Sequence, residues 1–265
     1  KDLFMTNCML NVRCQKVNAS GIFLSIAKGA IQPILAIILV PLALFIPPVV
    51  AFIYYHVFTN QQGKFFKFNK ELTNSFDLKT VIATELMYLA LMYAALKFVG
   101  YKLSIYLQEY EEIAKQSGVL QLGTKEQLTY SHNLTLLLSA LGIFTLVLFI
   151  VINGICYLKA SAKANALISP DLKTSLKLVF LAMVKNLPVY LLFTVAVVFI
   201  FALLEMYYAR LKLIYLQGYI LGQDIFNPSI LFIIIRVYLV HIITYALGLF
   251  TYTALGFQNK ICFKD

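Results

Sequence analysis

Long apolar runs alternate with short polar breaks along this chain, and each run is as long as a membrane span. After a mixed segment at residues 1–29, apolar stretches cover about Ala30–Phe58, Thr80–Val99, Leu134–Leu158, Leu187–Tyr207 and Ser229–Phe257. About 20 apolar residues in a helix cross a bilayer core of about 30 Å. A transmembrane barrel is excluded, because its strands would set polar and apolar residues in strict turn. The pattern predicts an all-α, polytopic helical membrane protein.

Three short tags recur in the same order, which points to an internal duplication of a helical hairpin. Asp77-Leu78-Lys79-Thr80 matches Asp171-Leu172-Lys173-Thr174, and Lys102-Leu103-Ser104-Ile105-Tyr106-Leu107-Gln108 matches Lys212-Leu213-Ile214-Tyr215-Leu216-Gln217. Asn153-Gly154-Ile155-Cys156 matches Asn259-Lys260-Ile261-Cys262. The expected division is an N-terminal segment at 1–76, a first transmembrane hairpin at 77–159, and a second at 160–265 that carries an extra interfacial helix. The hairpins are expected to superpose as parallel repeats. Within the insert, Asp171–Asn186 sets Leu172, Leu176, Val179, Phe180 and Met183 on one side and Lys173 and Lys177 on another. Both protruding tags extend their spans outward, and the first ends in Glu109, Glu111 and Glu112. Residues 159–170 read as a basic linker and the last residues as a short basic tail.

The first apolar stretch is different. Gly21–Gly29 has an apolar face at helical spacing and is expected to lie in the interface. Ala30–Phe58 then contains Pro33, Pro41, Pro47 and Pro48. Two consecutive prolines remove two backbone donors and disfavour helix at Ile46, so the stretch is sharply kinked or re-entrant. Carbonyls freed there need protein or water partners.

Charge separates these two forms. If the stretch crosses, ten Lys and Arg stand on one side and eleven on the other. If it re-enters, fifteen face six, the six being Lys97, Lys102, Lys115, Lys125, Arg210 and Lys212. The preference of basic loops for the cytoplasmic side favours the re-entrant form. It places the basic loops and C-terminus in the cytoplasm, in a plasma membrane or a bacterial inner membrane.

Composition agrees: 61% of residues are apolar, 13% are charged, and mean hydropathy is +0.81. The net charge of +10 has no soluble basic face to serve nucleic acid. It fits anionic lipid, with Lys64, Phe65, Phe66, Lys67, Lys173 and Lys177 as the candidate lipid contacts. In Lys64-Phe65-Phe66-Lys67 the rings suit headgroups and the ammonium groups suit phosphate. Four cysteines form no disulfide framework or metal-ligand spacing.

Ionisable groups within spans are costly and are the first functional candidates. They are Glu85, Glu205, Arg236 and His241, with Lys97 nearer a span end. At about 1.5 Å per residue, Glu205 and Arg236 reach the same outer level on adjacent antiparallel spans, where an ion pair is expected. Glu85 and His241 share an inner depth, where they would serve as a proton or cation relay, as helix-to-helix glue or as lipid-headgroup contacts. No H-E-x-x-H, Gly-rich phosphate loop or G-x-S-x-G occurs, and three histidines in three segments form no metal set. The expectation is therefore a non-catalytic membrane subunit or scaffold without a cofactor, holding other protein subunits or lipids. The alternative is a small transporter or channel with a path lined by Glu85, Arg236 and His241. The two differ in whether those residues face a hydrated cavity or close on one another.

Overall fold

The computed structural model describes residues 7–59, 76–117, 125–222 and 226–263. A strand, β1 (Asn7–Val12), precedes three short helices, α1 (Ala19–Ala30), α2 (Pro33–Phe45) and α3 (Pro47–Thr59). The helices α4 (Leu78–Ser117), α5 (Lys125–Ala164), α6 (Leu172–Lys185), α7 (Leu187–Ile220) and α8 (Ser229–Leu255) follow, and β2 (Phe257–Phe263) closes the chain. Among the described residues, four helices are long and apolar enough to cross a membrane: α4, α5, α7 and α8. The fold is that of a multi-pass helical membrane protein.

The all-α expectation needs one correction. The residues read as a basic tail form β2, which pairs antiparallel with β1 in the register Asn7↔Phe263, Cys8↔Cys262 and Leu10↔Lys260. Gly256 turns the chain from α8 into β2 with φ +58, and a Cβ there would sit 3.0 Å from the Arg13 carbonyl. The expected linker at 159–170 is also more ordered than its composition implies. Helix α5 continues to Ala164, and Leu167 N–H then bonds Ala162 O at 2.8 Å.

The described chain forms two compact units, Lys1–Val81 with Ile150–Asp265, and Ile82–Phe149. The smaller unit holds most of α4 and the first part of α5. Its described side chains are mostly exposed, and an exposed Glu111–Lys115 pair at 2.7 Å joins successive turns of α4.

The larger unit is built around α8, which buries Phe232, His241, Tyr245, Leu247, Phe250 and Thr251. Helix α1 runs antiparallel beside it. Gln15 N–H bonds Ala254 O at 2.8 Å, and sixteen residues earlier on α8 the Tyr238 hydroxyl donates to Ala30 O. That interval covers about 24 Å of helix. Helix α1, expected in the interface, thus lies along a candidate span. It buries Ile22, Ser25 and Gly29, while Phe23 and Leu24 are exposed.

Helix α6 follows the same rule. It buries Ser175, Val179 and Ala182 and exposes Leu172 and Phe180 of the expected apolar face. Small residues admit close backbone approach, and lipid covers the large apolar ones as well as protein would. The α5–α6 contact is so close that a Cβ on Gly154 would lie 2.5 Å from Val179 Cγ2.

The Pro-rich stretch does not form one straight helix. It breaks at Ile46 (φ −136, ψ 66), leaving α2 and α3 with 13 residues each. Each measures about 20 Å, short of a bilayer core. Both pack on α8.

Candidate functional site

Three polar stations lie along α8, and each fixes a different neighbour. Near the N-terminal end of α8, Arg236 meets Glu205 of α7 through two hydrogen bonds, Nε to Oε1 and one terminal guanidinium nitrogen to Oε2, both 2.8 Å. This fork uses the planar guanidinium in the way that makes Arg–carboxylate pairs directional. The Tyr208 ring lies 4.7 Å from the guanidinium carbon. Tyr208 and Lys212 both reach Ser229 Oγ, at 3.2 and 3.0 Å. Arg236 is 30% and Glu205 50% exposed, so lipid or solvent still touches the pair.

The middle station surrounds His241, which is fully buried. The backbone groups of Gly29 and Gln32, where α1 gives way to α2, face its ring. The Tyr245 ring lies 5.9 Å away, and the Tyr245 hydroxyl bonds the Gln32 side chain. Neither ring nitrogen of His241 nor Gln32 Oε1 has a hydrogen-bond partner. Tyr54 of α3 packs edge-on against Tyr245 at 5.7 Å and bonds Thr244 Oγ1 at 3.1 Å.

At the third station, near the C-terminal end of α8, the N-terminal segment is strapped across the α6–α7 junction. Asn186 accepts from Val17 N–H at 2.8 Å and donates to Gln15 O at 3.0 Å and Ala182 O at 2.9 Å, so its buried amide is well satisfied. Lys185 Nζ donates to Cys14 O at 3.1 Å. Burial pushes the Cys14 thiol above its ordinary value, and its Sγ bonds Leu178 O at 3.4 Å, which leaves it a poor nucleophile. Tyr190 and Thr251 hydroxyls meet at 2.9 Å between α7 and α8.

Glu85 belongs to the smaller unit, half-buried with Oε2 shielded and without a hydrogen-bond partner, while His241 belongs to the larger. Lys173 and Lys177 are exposed on α6. Lys64, Phe65, Phe66 and Lys67 lie outside the described residues. The two Asp-Leu-Lys-Thr tags open α4 and α6. Asp77 accepts from Thr80 Oγ1 at 2.7 Å, which holds its carboxyl below the usual range, and Asp171 is held low by Thr174 in the same way.

Sequence reasoning passed over Gln32, Asn186 and the Tyr54–Tyr245 pair. The signal for the first two was present: a lone amide one or two residues before Pro33 and Pro188 marks a helix junction with free backbone groups. The tyrosines carried no signal, since 17 of them occur along the chain. Among the described residues no group of three or more His, Cys, Asp or Glu is arranged to hold a metal. No protein-family model, curated protein or solved structure matches the chain.

Proposed function

We propose that the chain is a non-catalytic integral membrane subunit or scaffold that holds partner proteins as well as lipids. The observation that carries this reading is the outer end of α7. At 34 residues the helix is about 51 Å long, well beyond a bilayer core. Its final turns nevertheless keep Leu213, Leu216, Tyr219 and Ile220 exposed, the last at 80%. A contiguous apolar surface beyond the hydrocarbon region marks a protein contact. The spans have little cover of their own: 11% of the apolar stretch of α4 and 17% of that of α7 is buried. Arg236 is engaged by Glu205 and Tyr208, which favours a braced scaffold over a polar path.

The basic face is assigned to anionic lipid on the cytoplasmic side. Pairing of β1 with β2 supports this, because strands in register lie on one side of a membrane. The chain between them then crosses an even number of times. Crossing by α4, α5, α7 and α8 meets that condition if α1, α2 and α3 together return to the side from which they start. The strand pairing supports the re-entrant form, for which the basic residues divide fifteen to six. The hairpins α4–α5 and α7–α8 are read as parallel repeats, supported by the two outer tags, both of which are helical.

Purification from native membranes in mild detergent, with identification of co-eluting chains, tests the reading. The expected result is a stoichiometric partner that is lost when Leu213, Leu216 and Ile220 are changed to Glu. A protein that elutes alone, indifferent to those changes, would overturn it.

A further inference from the structure

His241 stands within a span, fully buried, and neither ring nitrogen makes a hydrogen bond of good geometry. Its surroundings are one-sided. The carbonyls of Gly29 and Gln32 face the ring, and Gln32 Oε1 is an acceptor that is itself buried and unsatisfied. Gly29 lies in the last turn of α1, where its carbonyl also accepts from Gln32 N–H at 3.2 Å, and carbonyls at a helix C-terminus carry partial negative charge. A neutral imidazole has one N–H donor and one lone pair, so amid acceptors its lone pair has nothing to bind. An imidazolium has two donors and no lone pair. Burial opposes the charge, while hydrogen bonds to the charged form favour it.

We propose that His241 is a proton-binding site. Taking up one proton from solution, its imidazolium donates both N–H groups to the acceptors of the α1–α2 corner and clamps the N-terminal helix onto α8. The surrounding elements supply no competing carboxylate among their described residues. Helix α1 offers only Lys28, which is exposed, α2 has no ionisable residue, and α3 carries Tyr54, Tyr55 and His56. On α8 itself Tyr245 is bound to Gln32, Tyr238 caps Ala30 O, and Arg236 is held by Glu205. The inference is independent of the partner proposed above, because the site is enclosed within one chain.

The test uses full-length protein in phosphatidylcholine nanodiscs, with His56→Gln and His132→Gln leaving His241 as the sole histidine. Nitrogen-15 NMR of the ring is followed from pH 8.5 down to pH 4.5, and spin labels at Ser20 and Thr253 report the α1–α8 distance. The expected result is conversion to imidazolium, with the distance distribution narrowing over the same range. Gln32→Leu should lower the proton affinity about tenfold, which is about one pH unit. A ring that stays neutral at pH 4.5, as it would around a bridging water, overturns the proposal. So does a titration unchanged by Gln32→Leu, or a distance that ignores it. Gln32→Leu keeps the test available if replacing His241 itself prevents folding.

Discussion

Arg236 sits about two turns inside α8, where an unpaired guanidinium would cost about 2.5–3.5 kcal/mol on insertion scales. The fork to Glu205 and the Tyr208 ring offset that cost, yet both partners remain part-exposed, which limits the gain. Glu205→Gln and Arg236→Gln should each destabilise the protein, and the double change should cost less than the two added. A coupling of about 1 kcal/mol is expected, read by thermal or denaturant unfolding in detergent. Strictly additive losses would separate the pair energetically. Gly154 is a second decisive residue, because Val179 occupies the place of any side chain there. Gly154→Ala should cost about 1–3 kcal/mol through overpacking, and Val179→Ala in the same chain should restore much of it. No rescue would mean that the helices separate elsewhere.

At the scale of elements, two helices bring small residues to their protein contacts and leave large apolar ones outside. Helices α1 and α6 turn Ser25 with Gly29, and Ser175 with Ala182, towards protein, and their Phe residues outward. Their starts also carry a measurable charge. Asp77 and Asp171 are held below the usual carboxylate range by Thr80 and Thr174, so their contribution is complete above the unfolded value of about 3.9. It is lost as pH falls through the lower folded values. Unfolding temperature should therefore decline below about pH 4, and Thr80→Val with Thr174→Val should flatten that decline. The break at Ile46 depends on the proline pair that follows it. Pro47→Ala with Pro48→Ala should let α2 and α3 join into a helix of about 40 Å, long enough to cross. A cysteine at Gly63 should then change its reactivity towards an impermeant thiol reagent, and unchanged reactivity would place the cause of the break elsewhere.

For the whole molecule, the β1–β2 ribbon makes the chain ends neighbours, so reporters fused before β1 and after β2 should respond from the same side of the membrane. Opposite responses would break the even crossing number. The membrane class, the long apolar helices and the proline break were legible in the sequence because each is local. Hydropathy and run length act within one segment, and a proline acts on its own backbone and its neighbour's. The ribbon was not legible, since Cys8 and Cys262 become partners across nearly the entire chain. Nor was the role of α8, whose pattern is apolar all round; only packing singles out Tyr245 against Gly29 and His241 against the α1–α2 corner. In lipid, hydrophobicity does not separate a face that meets protein from one that meets acyl chains. The sequence by itself determined which segments are apolar helices. The tertiary structure decided which side of each is protein, because that depends on shape and on backbone groups left open at distant helix ends.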